Sequence, residues 1–398
     1  MSVTEFINNS LDRAVNYLAL NNYKGWDPYD GLTTNVSIIH RNYISRLLFF
    51  YFNKFSPVNL RKHFGIEKKI FTQSHMFLGL ALVELGKCSE AEYFLKEIIA
   101  DSIHYEKEGC HCWDGLDIPI QMRKSYKKRG APNVISSELA ARFILKYLKS
   151  TGRNDYKLRE VLDSVKRYFC EYMLVSYKGK IHFKYYDVTP DEIFVFNANA
   201  NICAFLAEYD NYNSSTENKT IVYDVLSSLV NYQEDDGYWN YNINLKTEVQ
   251  KKQVDFHQGF VLDSLLRVMN SYGKETFIEN AYNNGLSFYY KKQFLPSGQG
   301  VYRYPKKYPV NIHNQAQGIV TFTKAALAGY GDHFYEYAHT IARWTIKNMQ
   351  DSDGHFYYMK CPFFTNKIPY IRWSDSMMVY SLSVLLACEK KKRNDVRT

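Results

Sequence analysis

The sequence predicts an all-α chain in which six or seven helical hairpins close into an α/α toroid, with short β-hairpin-like loops at one face. Three observations lead there. One block recurs: residues 232–265 run through a helix end, an acidic-glycine turn (Asp235-Asp236-Gly237), a short aromatic strand at 238–241, a polar loop and a new helix opening at Asp255. The same parts return in 293–327 and 349–382, and weaker copies can be placed at 178–206, 109–144 and 24–47. The step from Trp239 to Tyr302 to Phe356 exceeds the roughly 34 to 47 residues of solenoid helix pairs, which leaves room for two helices and a loop over one end.

The third observation is an alternation of helix types. Segments 88–107, 154–175, 217–233, 275–293 and 332–350 are amphipathic, with charge on one face, and suit an outer layer. Segments 134–149, 195–208, 256–270, 314–329 and 374–388 are richer in Ala, Leu, Val and small residues, and suit an inner one. Helices opening near Phe71, Val134, Asn197, Asp255, Asn314 and Ser374 are expected to line the interior with their N-termini at one face. An open solenoid of the same hairpins is the alternative.

Ahead of these repeats, 2–20 reads as a helix, with Phe6, Leu11, Ala14, Val15 and Leu18 at helical spacing. Asp-Pro and Asp-Gly mark successive turns in Gly25 to Gly31. Residues 36–55 are apolar nearly all round, as expected of one helix buried on several sides. A short helix after Pro57 ends at Gly65, and 71–85 is again strongly apolar.

Composition narrows the function classes. With 46% hydrophobic and 23% charged residues and no Pro-, Gly- or Ser-rich linker, 1–398 reads as one domain whose last eight or so residues form a basic tail. The net charge of +9 is scattered, with basic runs only at 123–129 and 390–393, and no nucleic-acid-binding signature accompanies it. No apolar segment reaches transmembrane length. Glu5, Asp12 and Arg13 interrupt the first helix, so it does not read as a cleavable signal. The odd count of 7 cysteines fits reduced thiols and a cytoplasmic protein. The 16% aromatic share is compatible with sugar stacking and equally with an AT-rich genome.

The residues opening the inner helices are unusually polar: Thr72, Gln73 and His75; Asn133, Ser136 and Glu138; Asn197, Asn199 and Asn201; Asp255, His257 and Gln258; His313, Asn314, Gln315 and Gln317; Arg372, Trp373 and Asp375. Capping accounts for one Ser, Thr, Asp or Asn per helix start. It does not account for several, nor for His, Gln and Arg, so the set points to a functional rim.

The hairpin repeat with its acidic-Gly-aromatic turn resembles the α/α-toroid proteins: six-hairpin glycosidases, uronyl hydrolases and lyases, and more distantly terpenoid cyclases and prenyltransferases. The resemblance covers most of the chain and is architectural. Trp26-Asp27-Pro28-Tyr29-Asp30-Gly31 and Asp255-Phe256-His257-Gln258-Gly259 are similar to toroid proteins of bacterial surface-polysaccharide gene clusters. Asn314-Gln315-Ala316-Gln317-Gly318 is similar to a helix opening in the C-terminal domain of glucuronyl C5-epimerases. What these imply is action on an oligo- or polysaccharide in bacterial cell-surface glycan metabolism.

Chemistry separates the classes. Glycoside cleavage calls for two opposed carboxylates, for which Asp27, Asp30, Asp114, Asp117, Glu138, Asp187, Asp255 and Asp375 are available. Uronate lyases and epimerases need a base, an acid and a cation beside the substrate carboxylate; His257, His313, Tyr302, Tyr304, Arg303 and Arg372 supply those types. A cyclase lacks support, since no Asp-x-x-Asp-Asp stretch is present. Cys110-His111-Cys112 offers too few groups for tetrahedral zinc, so neither metal nor cofactor is expected. A non-catalytic glycan-binding or scaffold toroid would show the same aromatics and amides.

The expected active centre is Asp255, His257, His313, Arg372 and Asp375. Asp255 as a helix cap and His257 as a hydrogen-bonded core residue remain the competing roles. The expected binding surface is Trp26, Asp27, Asp30, His75, Trp113, Asp114, Glu138, Asn199, Gln317, Tyr304 and Trp373. Of the loop aromatics, Trp26, Trp113 and Trp373 are expected to reach the cleft, whereas Trp239, Tyr302 and Phe356 plug their own hairpins.

Overall fold

The computed structural model describes residues 2–105, 109–123 and 126–395. Its helices are α1 (Val3–Leu20), α2 (Ser37–His40), α3 (Tyr43–Phe55), α4 (Thr72–Glu84), α5 (Cys88–Ala100), α6 (Val134–Thr151), α7 (Tyr156–Arg167), α8 (Phe196–Tyr212), α9 (Lys219–Asn231), α10 (His257–Tyr272), α11 (Thr276–Lys292), α12 (Ile312–Leu327), α13 (Asp332–Met349) and α14 (Ser376–Asp395). Helices α4, α6, α8, α10, α12 and α14 pack side by side in that order, and α14 returns to α4. The inner ring is closed, which excludes an open solenoid. Helices α1, α5, α7, α9, α11 and α13 cover it from outside, so the described chain forms six hairpins.

Burial follows the alternation read from the sequence. Inner helix α8 is buried from Phe196 through Ala207, because neighbours press on it from every side. Outer helix α9 buries only Val222, Val225, Leu226 and Leu229, one stripe at helical spacing.

The glycine turns fasten each repeat to the next outer helix. Gly237 and Gly354 adopt φ of +95° and +106°. A Cβ there would lie 2.4 Å from the Asn284 carbonyl oxygen and 2.3 Å from that of Arg13. Both the left-handed backbone and the close approach demand glycine. The Gly354 contact carries the last outer turn onto α1, where the Gln350 amide also bonds Ser10.

The same face carries small antiparallel sheets, among them 174–177 with 180–183, and 193–195 with 242–244 and 249–251. The strand expected at 238–241 lies instead just after it, because 238–240 are held by side chains of α10 and its neighbours rather than by a ladder.

Two segments differ from expectation. Residues 36–55 form two helices broken at Arg41-Asn42, since Asn42 caps α3 with Ser45 in a reciprocal pair. Helix α3 buries only Phe50 and Asn53 and lies on the rim. The segment read as a basic tail begins inside α14, where Lys392 pairs with Asp332 at 2.7 Å; residues 396–398 lie outside the described residues, as do Lys124 and Ser125 of the other basic run. No described helix is long and apolar enough to cross a membrane.

Candidate active site

All six inner helices start at one face, and the loops leading into them build a cleft lined by aromatic and ionisable side chains. Its most reactive feature opens α10. Asp255 is buried, and its Oδ1 accepts from Nδ1 of His257 at 2.5 Å. Asp255 Oδ2 accepts from Gln253 at 2.9 Å and lies 3.6 Å from the half-exposed Arg303 guanidinium. Burial pushes the Asp255 carboxyl up, but the His257 interaction and the Arg303 charge outweigh it and hold the group below its usual range. An ionised Asp255 fixes the proton of His257 on Nδ1 and leaves Nε2 as the basic nitrogen. His257 is only partly buried, with Tyr241 edge-on against it at 4.9 Å between centroids.

Aromatic rings extend the wall from this dyad to the first repeat. Phe256 stacks on His257 at 4.2 Å and meets His313 at 4.7 Å and Trp373 at 5.8 Å. Trp373 donates its indole N–H to Asn311 at 3.0 Å and packs against Tyr29 at 5.5 Å. His313 is enclosed by Phe256, Phe260 and Trp373, with Nδ1 3.3 Å from the Trp373 carbonyl oxygen. Burial drives its pKa down to about 3, so the ring stays neutral and positions Trp373 and Phe256.

The floor near the first repeat is a lattice of closed ion pairs. Arg372 holds Asp27 at 2.7 and 3.0 Å and Gln73 at 3.1 Å. Arg61 grips Asp30 at 3.0 Å, where Asn53 adds a further bond. Asp114 meets Lys127 at 2.5 Å and accepts from the Gly130 N–H. Each of these carboxylates is bound to its own cation, although burial still pushes the Asp30 and Asp114 carboxyls up. His257 is the histidine of the wall that keeps partial exposure.

The structure thus brings Asp255, His257, His313, Arg372, Trp373 and Asp27 together. Other expected residues lie elsewhere. Asp375 turns away from the cleft: its Oδ1 accepts the Phe356 N–H at 2.7 Å in a fully buried pocket of the loop. Asn199 does the same for Phe183, accepting its N–H at 2.7 Å and donating to its carbonyl at 3.1 Å. His75 is a core residue against Tyr23 and Phe94, and burial lowers its pKa to about 4. Trp113 is fully buried, donating to the Ile98 carbonyl, and Trp26 is nearly so, donating to Ile66; Trp373, at 9% exposure, is buried as well, so none of the three expected tryptophans stands open to the cleft. Tyr304 packs on Phe288 of the outer helix α11.

Glu138 and Gln317 lie deeper, inside the ring. Glu138 pairs with Arg267 at 2.8 Å, Arg267 with Glu208 at 2.6 Å, and Asp263 with Lys324 at 2.6 Å. Gln317 donates to Thr321 on its own helix. Cys110 to Cys112 is a strand whose two thiols are buried and not in a disulfide, and no group of three or more metal-ligating side chains occurs among the described residues.

Tyr29, Phe256 and Tyr241 belong to the cleft wall although the sequence points to none of them as binding residues, and Arg303, read from the sequence as a candidate cation, stands with them beside Asp255. Tyr29 and Phe256 sit inside the Trp26–Gly31 and Asp255–Gly259 motifs, and that placement was the available signal.

No protein-family model matches the chain, and no curated protein matches it in sequence. Solved structures do match in fold. A GH76 α-mannanase from Bacteroides thetaiotaomicron superposes with a TM-score of 0.60 at 12% identity, over 82% of this chain and 88% of that one. Cellobiose 2-epimerase from Bacillus thermoamylovorans gives 0.62 at 10%, over 82% and 90%. An unsaturated glucuronyl hydrolase specific for heparin gives 0.58 at 11%, over 84% and 90%. The chain has the α/α-toroid fold of the six-hairpin glycosidase-like proteins.

Proposed function

We propose that this protein is a carbohydrate-active enzyme that moves a proton on a uronate-bearing oligo- or polysaccharide, as an epimerase or lyase. The Asp255–His257 dyad beside Arg303 carries this reading. In it, His257 Nε2 takes the proton from the carbon next to the sugar carboxylate. Arg303 stabilises the negative charge that develops on that carboxylate. Return of a proton from water to the opposite face inverts the carbon; alternatively the C4–O bond breaks, its oxygen takes the proton from His257 as it leaves, and a C4=C5 unsaturated sugar remains. Phe256 and Tyr241, both partly exposed, offer faces for the sugar rings.

A retaining or inverting hydrolase has less support, because the cleft carboxylates Asp27, Asp30 and Asp114 are each bound to a cation. That sugars are turned over by the α-mannanase and the epimerase of the same fold agrees with a glycan as ligand. We further infer that the chain works as one toroid domain over 1–398, in the cytoplasm, in bacterial cell-surface glycan metabolism.

The test is incubation with uronate-containing and neutral glycans in deuterated water, read for cleavage, unsaturated product and deuterium at C5. Deuterium incorporation or unsaturation that vanishes in His257→Gln is expected. Hydrolysis of neutral glycans with no exchange, or exchange undiminished in His257→Gln, overturns the reading.

A further inference from the structure

Helix α3 breaks the burial pattern of the molecule. Ile44, Leu48, Phe52 and Phe55 are 63, 66, 48 and 52% exposed. Steps of four, four and three residues place them within an arc of about 80° on one helical face. The apolar surface continues beyond the helix through Val58, 60% exposed, to Phe363, 99% exposed at the tip of the 359–366 hairpin. That hairpin is fastened to the end of α3 by a 3.0 Å bond from the Asn366 amide to the Ser56 carbonyl. A continuous face of large exposed apolar side chains marks an interaction surface.

Its charge says what covers it. From Asn35 to Ile66 the chain contains Arg41, Arg46, Lys54, Arg61 and Lys62 and no Asp or Glu. From Met359 to Pro369 it contains Lys360 and Lys367, again with no acid. Arg61 is consumed by Asp30, and Arg46 and Lys54 sit over Tyr126 and Tyr29, but Arg41, Lys62 and Lys367 of these two segments are exposed. A second copy is a poor occupant, because a two-fold contact sets the same patch against itself and opposes like charges.

We propose that this face seats on an anionic lipid bilayer, with α3 lying in the interface and Phe363 entering it. An apolar helical stripe bordered by Lys and Arg is the pattern that binds such surfaces. The placement also bears on the cleft. Phe50 of α3 stacks on Tyr29 at 6.0 Å, and the Lys54 ammonium sits 4.4 Å over the same ring. Tyr29 in turn touches Trp373, so a seated α3 brings one cleft wall close to the lipid. The membrane contact stands on the surface alone and does not depend on the reaction catalysed.

The experiment is flotation of the full chain with vesicles of phosphatidylcholine mixed with phosphatidylglycerol, and with vesicles of phosphatidylcholine alone. Binding to the anionic vesicles, weakened by salt, is expected. Leu48→Glu combined with Phe52→Glu is expected to lower the bound fraction about tenfold or more. Tyr156→Glu, an equally exposed apolar site at the start of α7, is expected to leave it unchanged. Thermal melting checks that each variant is folded. No flotation with anionic vesicles, or flotation undiminished in the folded double variant, overturns the proposal. So does a dimer in solution that Leu48→Glu dissolves while vesicles capture nothing.

Discussion

Arg372 and Asp27 meet through two parallel hydrogen bonds, 2.7 and 3.0 Å long, across the seam where the last repeat returns to the first. Both side chains are buried, at 7 and 0% exposure. A planar guanidinium fits a carboxylate in this way and a lysine does not. Removing one partner strands the other charge in a dry site, which costs about 3–5 kcal/mol. Asp27→Asn is therefore expected to lower stability by that order in urea unfolding. Arg372→Met with Asp27→Leu, which removes both charges, is expected to recover part of the loss.

The dyad opening α10 makes a kinetic prediction. His257→Gln keeps a polar side chain of similar length at a partly buried position, so melting is expected to change little. Loss of an acid-base group typically lowers rate by about 10² to 10⁴. Asp255→Asn leaves the ring without its anionic anchor and is expected to lower turnover as well. The Asn amide keeps an oxygen for the His257 backbone N–H, and Asn caps as well as Asp, so the helix start is expected to lose little stability. Turnover of the glycan that proves to be the substrate, measured beside melting, separates the two effects.

A clasp recurs from repeat to repeat. Trp239 donates its N–H to Gln258 Oε1 at 3.0 Å, and the Gln258 amide donates back to the Trp239 carbonyl at 2.5 Å. Gln315 clasps Gly300 and Gly298, Asn199 clasps Phe183, Ser137 clasps Trp113 and Asp375 clasps Phe356. Gln258→Leu leaves buried backbone groups without partners, and each such group costs about 1–3 kcal/mol. A drop of that size, with faster amide exchange confined to 237–241, is the expected outcome.

These clasps explain where sequence reading succeeded and where it stopped. The hairpin order and the inner and outer layers were legible because burial on one face or on all faces writes itself into periodicity. The polar helix starts were legible as a set, but not their division of labour. Gln258, Asn199 and Asp375 occupy the same kind of position as His257 and look equally functional, yet they hold loops. Which of two neighbouring residues faces the cleft depends on the rotation of each helix about its axis. That rotation is fixed by packing between repeats far apart in sequence, as with Arg372 on Asp27. Helix α3 misled for another reason: an apolar helix reads as buried, and the sequence does not say that its neighbour is missing.

Asp375 yields a pH prediction. Its carboxyl is fully buried, and burial raises its pKa to about 7 against one backbone hydrogen bond from Phe356 that opposes the change. Among the described residues its second oxygen, Oδ2, has no hydrogen-bond partner. An unfolded aspartate titrates near 3.9. Between that value and about 7 the native state keeps a proton that the unfolded chain has released, so this group makes stability fall as pH rises. Below the window both states are protonated, and above it both are ionised, so the contribution is level on either side. A tenfold difference in proton affinity between the two states corresponds to about 1.4 kcal/mol, which puts the total at a few kcal/mol. Asp375→Asn retains an oxygen for the Phe356 N–H and carries no charge at any pH. It is expected to match the parent protein near pH 4, to exceed it by an increasing margin up to about pH 7, and to hold that margin at pH 8. Urea unfolding across this range checks it, and a parent protein whose stability relative to Asp375→Asn does not change with pH would show that the buried carboxyl is paired after all.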